Sequence, residues 1–284
     1  MNQFQTTIKE AVTVAGVGLH TGEEVTMTFL PAPPNFGIRF KRVDLEGEPE
    51  VPALVDYVVD ISRGTTLEKN KARVGTVEHV LAALVGLQID NVLIELDSIE
   101  TPIMDGSSKV FVEVLSGVGM EVQNEERKYF TIPQNINFTN EEKNVEMTVL
   151  PDEGYKVTVM IDYNSKVLGQ QHASLERIED FKEEFATSRT FCFLHELEML
   201  LDNNLIKGGD LDNAIVLVER EYSKAELDEI ARLVGKEELD IEVQRTGVLN
   251  TSELQYENEP ARHKLLDIVG DLALVGKFIK GHIL

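Results

Sequence analysis

One cysteine, no tryptophan and only 27 basic residues against 50 acidic ones set the first limits on this 284-residue chain. The single thiol, Cys192, excludes an intrachain disulfide framework. A formal net charge of −23 argues against general nucleic-acid binding and against anionic membranes. Any anionic ligand must therefore find a local basic pocket. No run of about 18 apolar residues occurs, so no transmembrane segment is expected. The start, MNQFQTTIKEAV, lacks a basic n-region and an apolar core and does not read as a secretory signal. The expected compartment is the cytoplasm. With 42% hydrophobic and 27% charged residues, the composition is that of a globular chain long enough for two ordinary domains.

The first third reads as strands and turns. Gln5–Val14 and Glu24–Phe29 alternate around the glycine-rich turn AGVGLHTGE, and shorter strands are expected at Ile38–Phe40 and Val51–Val55. A helix follows over Val77–Val85, with Thr76 as N-cap and Gly86 as stop, then a buried strand at Asn91–Leu96. DGSS (Asp105–Ser108) introduces a helix over Lys109–Ser116. The polar stretch Gly117–Arg127 breaks periodicity and reads as a linker. Strands resume at Lys128–Ile132, Val145–Leu150 and Tyr155–Ile161, followed by helices at Leu175–Phe185 and His195–Asn203 and a strand at Ala214–Val218. Glu221–Val234 reads as a charged amphipathic helix on a surface insertion that extends to about Gln255. The two halves share a coarse order of strands then helices, without a residue-level repeat.

The most informative stretch is Glu257–Gly276, framed as a helix by Pro260 and Gly276. At about 100° per residue, His263, Lys264, Asp267, Gly270 and Asp271 share one arc, and most of the remaining wheel is apolar. A helix that is mostly buried with a seam of imidazole and carboxylates needs partners or a metal for those groups. His263 and Asp267, four residues apart, can ligate one ion. His79, beside Glu78 in TVEHVLAAL, is the best partner among six histidines. Two histidines and a carboxylate leave a coordination position open, the catalytic zinc pattern, with Glu78 placed to take a proton from metal-bound water.

TVEHVLAAL (Thr76–Leu84), SRTFCF (Ser188–Phe193) and YENEPARHKLLDIVGDLALVG (Tyr256–Gly276) resemble three signature blocks of one family. It is the UDP-3-O-acyl-N-acetylglucosamine deacetylases of lipid A biosynthesis. GVGLHTGE (Gly16–Glu23), IMDGSS (Ile103–Ser108) and LGQQ (Leu168–Gln171) fit it too, so the resemblance runs the length of the chain. It implies an α+β fold of two similar domains, each a sheet packed on helices, with the active site at their interface. On this sequence the division is 1–122 and 123–284, with the charged insertion at about 219–255. The implied reaction is zinc-dependent removal of the N-acetyl group from UDP-3-O-(3-hydroxyacyl)-N-acetylglucosamine. The zinc ligands fall on His79, His263 and Asp267, the general base on Glu78, and the threonine that holds the oxyanion on Thr190. Lys264, His20 and Phe191 fall among substrate-binding residues, with Arg262 and Lys207 as weaker basic candidates. Asp271 orients a catalytic histidine in this family, and Val167–Gln171 belongs to an acyl-chain tunnel.

The pattern departs at the end. The family's general acid lies in a GGHSLN-like or GHTLN-like motif, whereas KFIKGHIL (Lys277–Leu284) carries none, and His282 reads as an ordinary strand residue. The sequence thus looks C-terminally truncated relative to the family, which implies reduced turnover. The long charged segment at Glu219–Gln255 resembles the form fused to a 3-hydroxyacyl-ACP dehydratase, which implies such a domain beyond residue 284. Two readings stand beside the hydrolase: a catalytically impaired protein that binds zinc and nucleotide sugar, and a non-haem iron enzyme on the same ligand set.

Overall fold

A computed structural model describes residues 1–196, 207–209, 213–233, 241–244, 246–249 and 253–284. In the first half the strands are β1 (Phe4–Ile8), β2 (Val12–Val17), β3 (Glu24–Pro31), β4 (Ile38–Arg42), β5 (Glu50–Pro52), β6 (Val58–Asp60), β7 (Thr66–Lys69) and β8 (Ala72–Val74). Helix α1 (Glu78–Gly86), β9 (Val92–Leu96), α2 (Lys109–Val118) and β10 (Met120–Glu126) follow. The second half contributes β11 (Phe130–Thr131), β12 (Ile136–Asn140), β13 (Val145–Leu150), β14 (Tyr155–Asp162), β15 (Gln170–Leu175) and the one-turn helix α3 (Phe181–Glu184). Then come β16 (Phe191–Phe193), β17 (Ile215–Leu217), α4 (Lys224–Leu233), α5 (Glu259–Leu272) and β18 (Ile279–Ile283).

The α+β expectation holds, and the likeness of the halves is in their topology. The first sheet runs β2-β3-β9-β4-β5 and the second β12-β13-β18-β14-β15. In each, a late strand that follows a helix is inserted between two hairpins. β9 is antiparallel to β3 and parallel to β4; β18 is antiparallel to β13 and parallel to β14. One apolar core spans both halves, with Phe29, Phe40, Leu81, Leu84, Val157, Leu265 and Val269 among its fully buried members. Every residue of α1 is buried, with α5, α2, α3 and two 3-10 turns packed against it.

Several local expectations change. Gln5–Val14 is two strands, since Lys9-Glu10 turns the chain. Gly117–Arg127 is no linker: it holds the end of α2 and β10, which pairs antiparallel with β1 across the residue-122 division. Its polar alternation reflects a ribbon exposed on both sides rather than a loop. Leu175–Phe185 is not a continuous helix but the end of β15, a 3-10 turn and α3, with Phe181 and Phe185 as its buried anchors. The helix expected at His195–Asn203 and the final residue of Glu221–Val234 lie largely or wholly outside the described residues. α4 is more than a surface helix: Leu227 and Ala231 form a small separate core with Val216, Val218, Ile241 and Leu249. Thr76 does not cap α1. It sits at φ +56 and donates its hydroxyl to Glu100, while Val77 occupies the cap position.

α1 and α5 cross in close contact at one glycine. A Cβ on Gly270 would stand 2.0 Å from the backbone oxygen of Glu78. Backbone cannot step aside as a flexible side chain can, so the helices would have to separate. Gly270→Ala is therefore expected to cost about 1–3 kcal/mol and to lower the thermal midpoint. An unchanged midpoint in calorimetry would show that the helices do not touch there.

Candidate metal centre

The α1–α5 contact sets three ligand-type side chains facing one another. α1 begins with Glu78 and His79, and α5 presents His263 and Asp267 one turn apart on the facing stripe. The Nε2 atoms of His79 and His263 lie 3.5 and 3.2 Å from Oδ1 of Asp267. The two rings meet edge to face, 5.0 Å between centroids. One ligand atom from each of the three residues lies within 4.8 Å of the others.

The donor chemistry of this cluster fits a cation. The Nδ1 of His263 lies 3.0 Å from the carbonyl of Ser188, which accepts its proton and leaves Nε2 with a lone pair toward Asp267. Oδ1 of Asp267 is itself buried without a hydrogen-bond partner. Two lone pairs aimed at a common point repel unless a positive charge sits between them. His79, His263 and Asp267 therefore fit zinc or a similar ion in a three-ligand set with open coordination positions.

The electrostatics follow from burial and these neighbours. Burial lowers the His263 imidazole to about 4, against the pull of the Asp267 charge. Burial also opposes charging His79, but Asp267 outweighs it and raises that imidazole above its ordinary value. For Asp267, burial is overcome by His263, by the Lys264 ammonium 2.8 Å away and by His79, and the carboxyl is held well below the usual range. Lys264 is raised in turn, chiefly by the Asp267 charge. Burial pushes Glu78 up to about 7; His79 opposes the shift and Asp267 adds to it.

A cavity of about 700 Å³ opens over the cluster. Its walls include all nine predicted site residues: His20, Glu78, His79, Thr190, Phe191, His263, Lys264, Asp267 and Asp271. Arg262 does not reach it. Its guanidinium stacks on Tyr256 and Phe185 and donates to the Glu184 carbonyl at 2.6 Å. Lys207 and Val167–Gln171 also lie outside its lining. His282 is a strand residue, its Nε2 3.0 Å from the Thr158 hydroxyl.

The structure adds contacts that the sequence does not assign, including those of Ile61–Thr66 (ISRGTT), a stretch the family resemblance places beside the site. The Thr65 N–H donates to Oε2 of Glu78 at 2.9 Å, and its hydroxyl donates to Oδ1 of Asp271 at 2.6 Å. Gly64, at φ +152, lets this loop approach; a Cβ there would lie 2.8 Å from Oε1 of Glu78. Buried Glu100 gathers the His20 and Thr21 amides and the Thr21 and Thr76 hydroxyls, fixing the turn that carries His20. Ser108, in DGSS, donates to the carbonyl of His79 at 2.7 Å. Tyr163 and Phe193 pack with Phe191 as an aromatic wall. Only the SRT block itself hinted at Arg189, whose guanidinium pairs at 2.9 Å with fully buried Glu259. Apart from Phe191 with Phe193, inside the SRTFCF block, the other contacts join residues distant in the chain and have no local sequence signal.

The chain is thus an α+β protein with two topologically equivalent sheets and a candidate His-His-Asp metal centre beside a buried glutamate. Comparison with known proteins narrows this. The family model described as LpxC, UDP-3-O-acyl N-acetylglycosamine deacetylase, matches residues 5–233 and 230–284, and the chain belongs to that family. It is 47% identical over 281 residues to a protein of Chlorobaculum tepidum named bifunctional enzyme LpxC/FabZ, covering 99% of this chain and 60% of that one. A Porphyromonas gingivalis protein of the same name is 46% identical, with 99% and 61% covered. A UDP-3-O-acyl-N-acetylglucosamine deacetylase of Syntrophotalea carbinolica is 38% identical, with 99% and 82% covered. The chain thus spans about 60% of the length of the fused relatives.

The Arg189–Glu259 pair ties the loop bearing Ser188 and Thr190 to the start of α5. Removing the guanidinium strands a buried carboxylate. Arg189→Ala is expected to destabilise by about 3–5 kcal/mol, and Arg189→Met with Glu259→Gln to recover part of the loss. Equal stabilities in urea titration would contradict the pairing.

Proposed function

We propose that the chain is a zinc-dependent deacetylase that removes the N-acetyl group from UDP-3-O-(3-hydroxyacyl)-N-acetylglucosamine, the committed step of lipid A synthesis, in the cytoplasm. The observation that carries this reading is the convergence of His79, His263 and Asp267 beneath a cavity with Glu78 at its edge. The family and the relatives named as deacetylases support the substrate class. We also propose the division at residue 122 and a site formed between the halves, since Glu78 and His79 come from one and His263 and Asp267 from the other.

When bound, the ion would acidify water and polarise the acetamide carbonyl. The protein groups do the rest. Glu78, raised to about 7 by burial, can take a proton near neutral pH and pass it on. The Thr65 amide fixes the orientation of that carboxylate. Thr190, at the cavity wall, offers a hydroxyl to the oxygen on which negative charge develops. Lys264, with His20 and Arg63, supplies the cationic and hydrogen-bonding side of the cavity to an anionic sugar nucleotide. Phe191, Phe193, Tyr163 and Val216 supply an apolar wall that suits an acyl chain. Asp271, held by Thr65, positions rather than reacts.

Metal analysis of the purified chain together with acetate release from the acylated sugar nucleotide tests this. Glu78→Gln is expected to keep the metal while losing about 10²–10⁴-fold in rate relative to the unaltered chain. His263→Ala is expected to lose both metal and rate. A chain that holds no zinc and does not bind the nucleotide sugar would overturn the reading.

A further inference from the structure

The acid and hydroxyl groups of IMDGSS (Ile103–Ser108) do not line the metal cavity, which only Ile103 of this stretch reaches. They fasten a turn instead. The Gly106 N–H donates to the Ile103 carbonyl at 3.0 Å. Oδ1 of Asp105 accepts from the Ser107 amide and hydroxyl at 3.1 and 2.7 Å. The Lys109 amide donates to the Ser107 hydroxyl at 3.1 Å, which ties the turn to the start of α2. Gly106, Ser107 and Ser108 are all buried. A turn clasped by its own side chains and closed off from water has little freedom to shift.

What this turn holds lies in the other half of the chain. The Gly106 carbonyl accepts the Thr190 N–H at 2.8 Å, and the Thr190 carbonyl accepts the Ile215 N–H at 2.8 Å. The Thr190 backbone is thus pinned on both sides. Gly106 sits at φ +81, where only glycine is at ease. A Cβ there would stand 2.0 Å from the Asn213 backbone oxygen and 3.2 Å from Cγ2 of Thr190. Asn213 and Thr190 both line the metal cavity. The Thr190 hydroxyl, by contrast, makes no hydrogen bond among the described residues. A β-branched side chain has few rotamers, so the place of that hydroxyl follows from the backbone that carries it. A donor that stabilises charge in a reaction must be in place beforehand.

We propose that Gly106 is a positioning residue for Thr190: its carbonyl, on a turn clasped by Asp105 and Ser107, fixes the Thr190 backbone and so aims the Thr190 hydroxyl into the cavity. Its consequence for rate rests on the proposed role of Thr190 at the developing oxyanion. The hold itself depends on no reaction.

A double-mutant cycle on acetate release, with amide hydrogen exchange beside it, tests this. Gly106→Ala is expected to lower kcat about 10–10²-fold, with KM and bound zinc little changed. In a Thr190→Ala background the same change is expected to cost less than about threefold, because the hydroxyl it would misplace is gone. Losses that multiply in full, or zinc lost with Gly106→Ala, would overturn the proposal. Ser107→Ala opens the clasp without adding atoms and serves where Gly106→Ala does not fold. A smaller fall in kcat with the same non-additivity is expected, and an unchanged kcat would contradict the clasp. Hydrogen exchange needs no substrate. The Thr190 amide is expected to be protected in the unaltered chain and to exchange about tenfold faster or more in either variant. An unprotected Thr190 amide would overturn the hold. A protected amide in a chain that releases no acetate would sink the deacetylase reading alone and support the hold.

Discussion

Everything at the centre of this fold depends on keeping one ionised carboxylate buried. Asp267 lies between two imidazoles, with a lysine ammonium on its other oxygen. A lone carboxylate in that place would protonate or pull water into the core. Here the surrounding positive charge is strong enough to hold it ionised despite burial. The same arrangement leaves its Oδ1 without a hydrogen-bond partner, which is a cost unless a cation is drawn to it. Stability alone would favour apolar residues at these positions. The cluster makes physical sense as a ligand set.

Holding that cluster needs two helices at unusually short range, and the fold supplies them symmetrically. Each half inserts a late strand between two hairpins, and each late strand is preceded by one of the two crossing helices. Gly270 permits the approach. Ser188 and Ser108 hold the two histidine-bearing segments from outside, one through the His263 ring and the other through the His79 backbone. The loop at Gly64-Thr65 closes the third side, with one residue binding both Glu78 and Asp271. A carboxylate whose proton affinity is tuned by burial is thereby fixed in direction as well as in charge.

The parts of this arrangement legible in the sequence are those with local periodicity. The seam of His263, Lys264, Asp267 and Asp271 stood out because a mostly apolar wheel leaves few reasons for such residues. α5 runs from Glu259 to Leu272 and closes with one 3-10 turn before Gly276, at φ +74, close to the frame that Pro260 and Gly276 set. Bringing Glu78 and His79 to that seam required the family resemblance, since nothing local relates residues on different halves. The role of Glu100, and the particular contacts of Thr65 and Arg189, were illegible for the same reason. The misread stretches have physical causes too. β10 is an exposed ribbon whose pattern resembles that of a loop, and Phe181 and Phe185 carry helical spacing over barely one turn. Arg262 looked basic and near the site, but sequence spacing cannot show that its charge is spent stacking on Tyr256.

The most direct test of a buried carboxylate kept for a metal is anomalous diffraction at the zinc edge from crystals of the chain grown with zinc. A single strong peak is predicted at about 2.0–2.2 Å from Nε2 of His79, Nε2 of His263 and a carboxylate oxygen of Asp267. Its loss is predicted in crystals of Asp267→Ala grown the same way. Zinc bound elsewhere with this cluster empty, or a peak that persists without the Asp267 carboxylate, would contradict it.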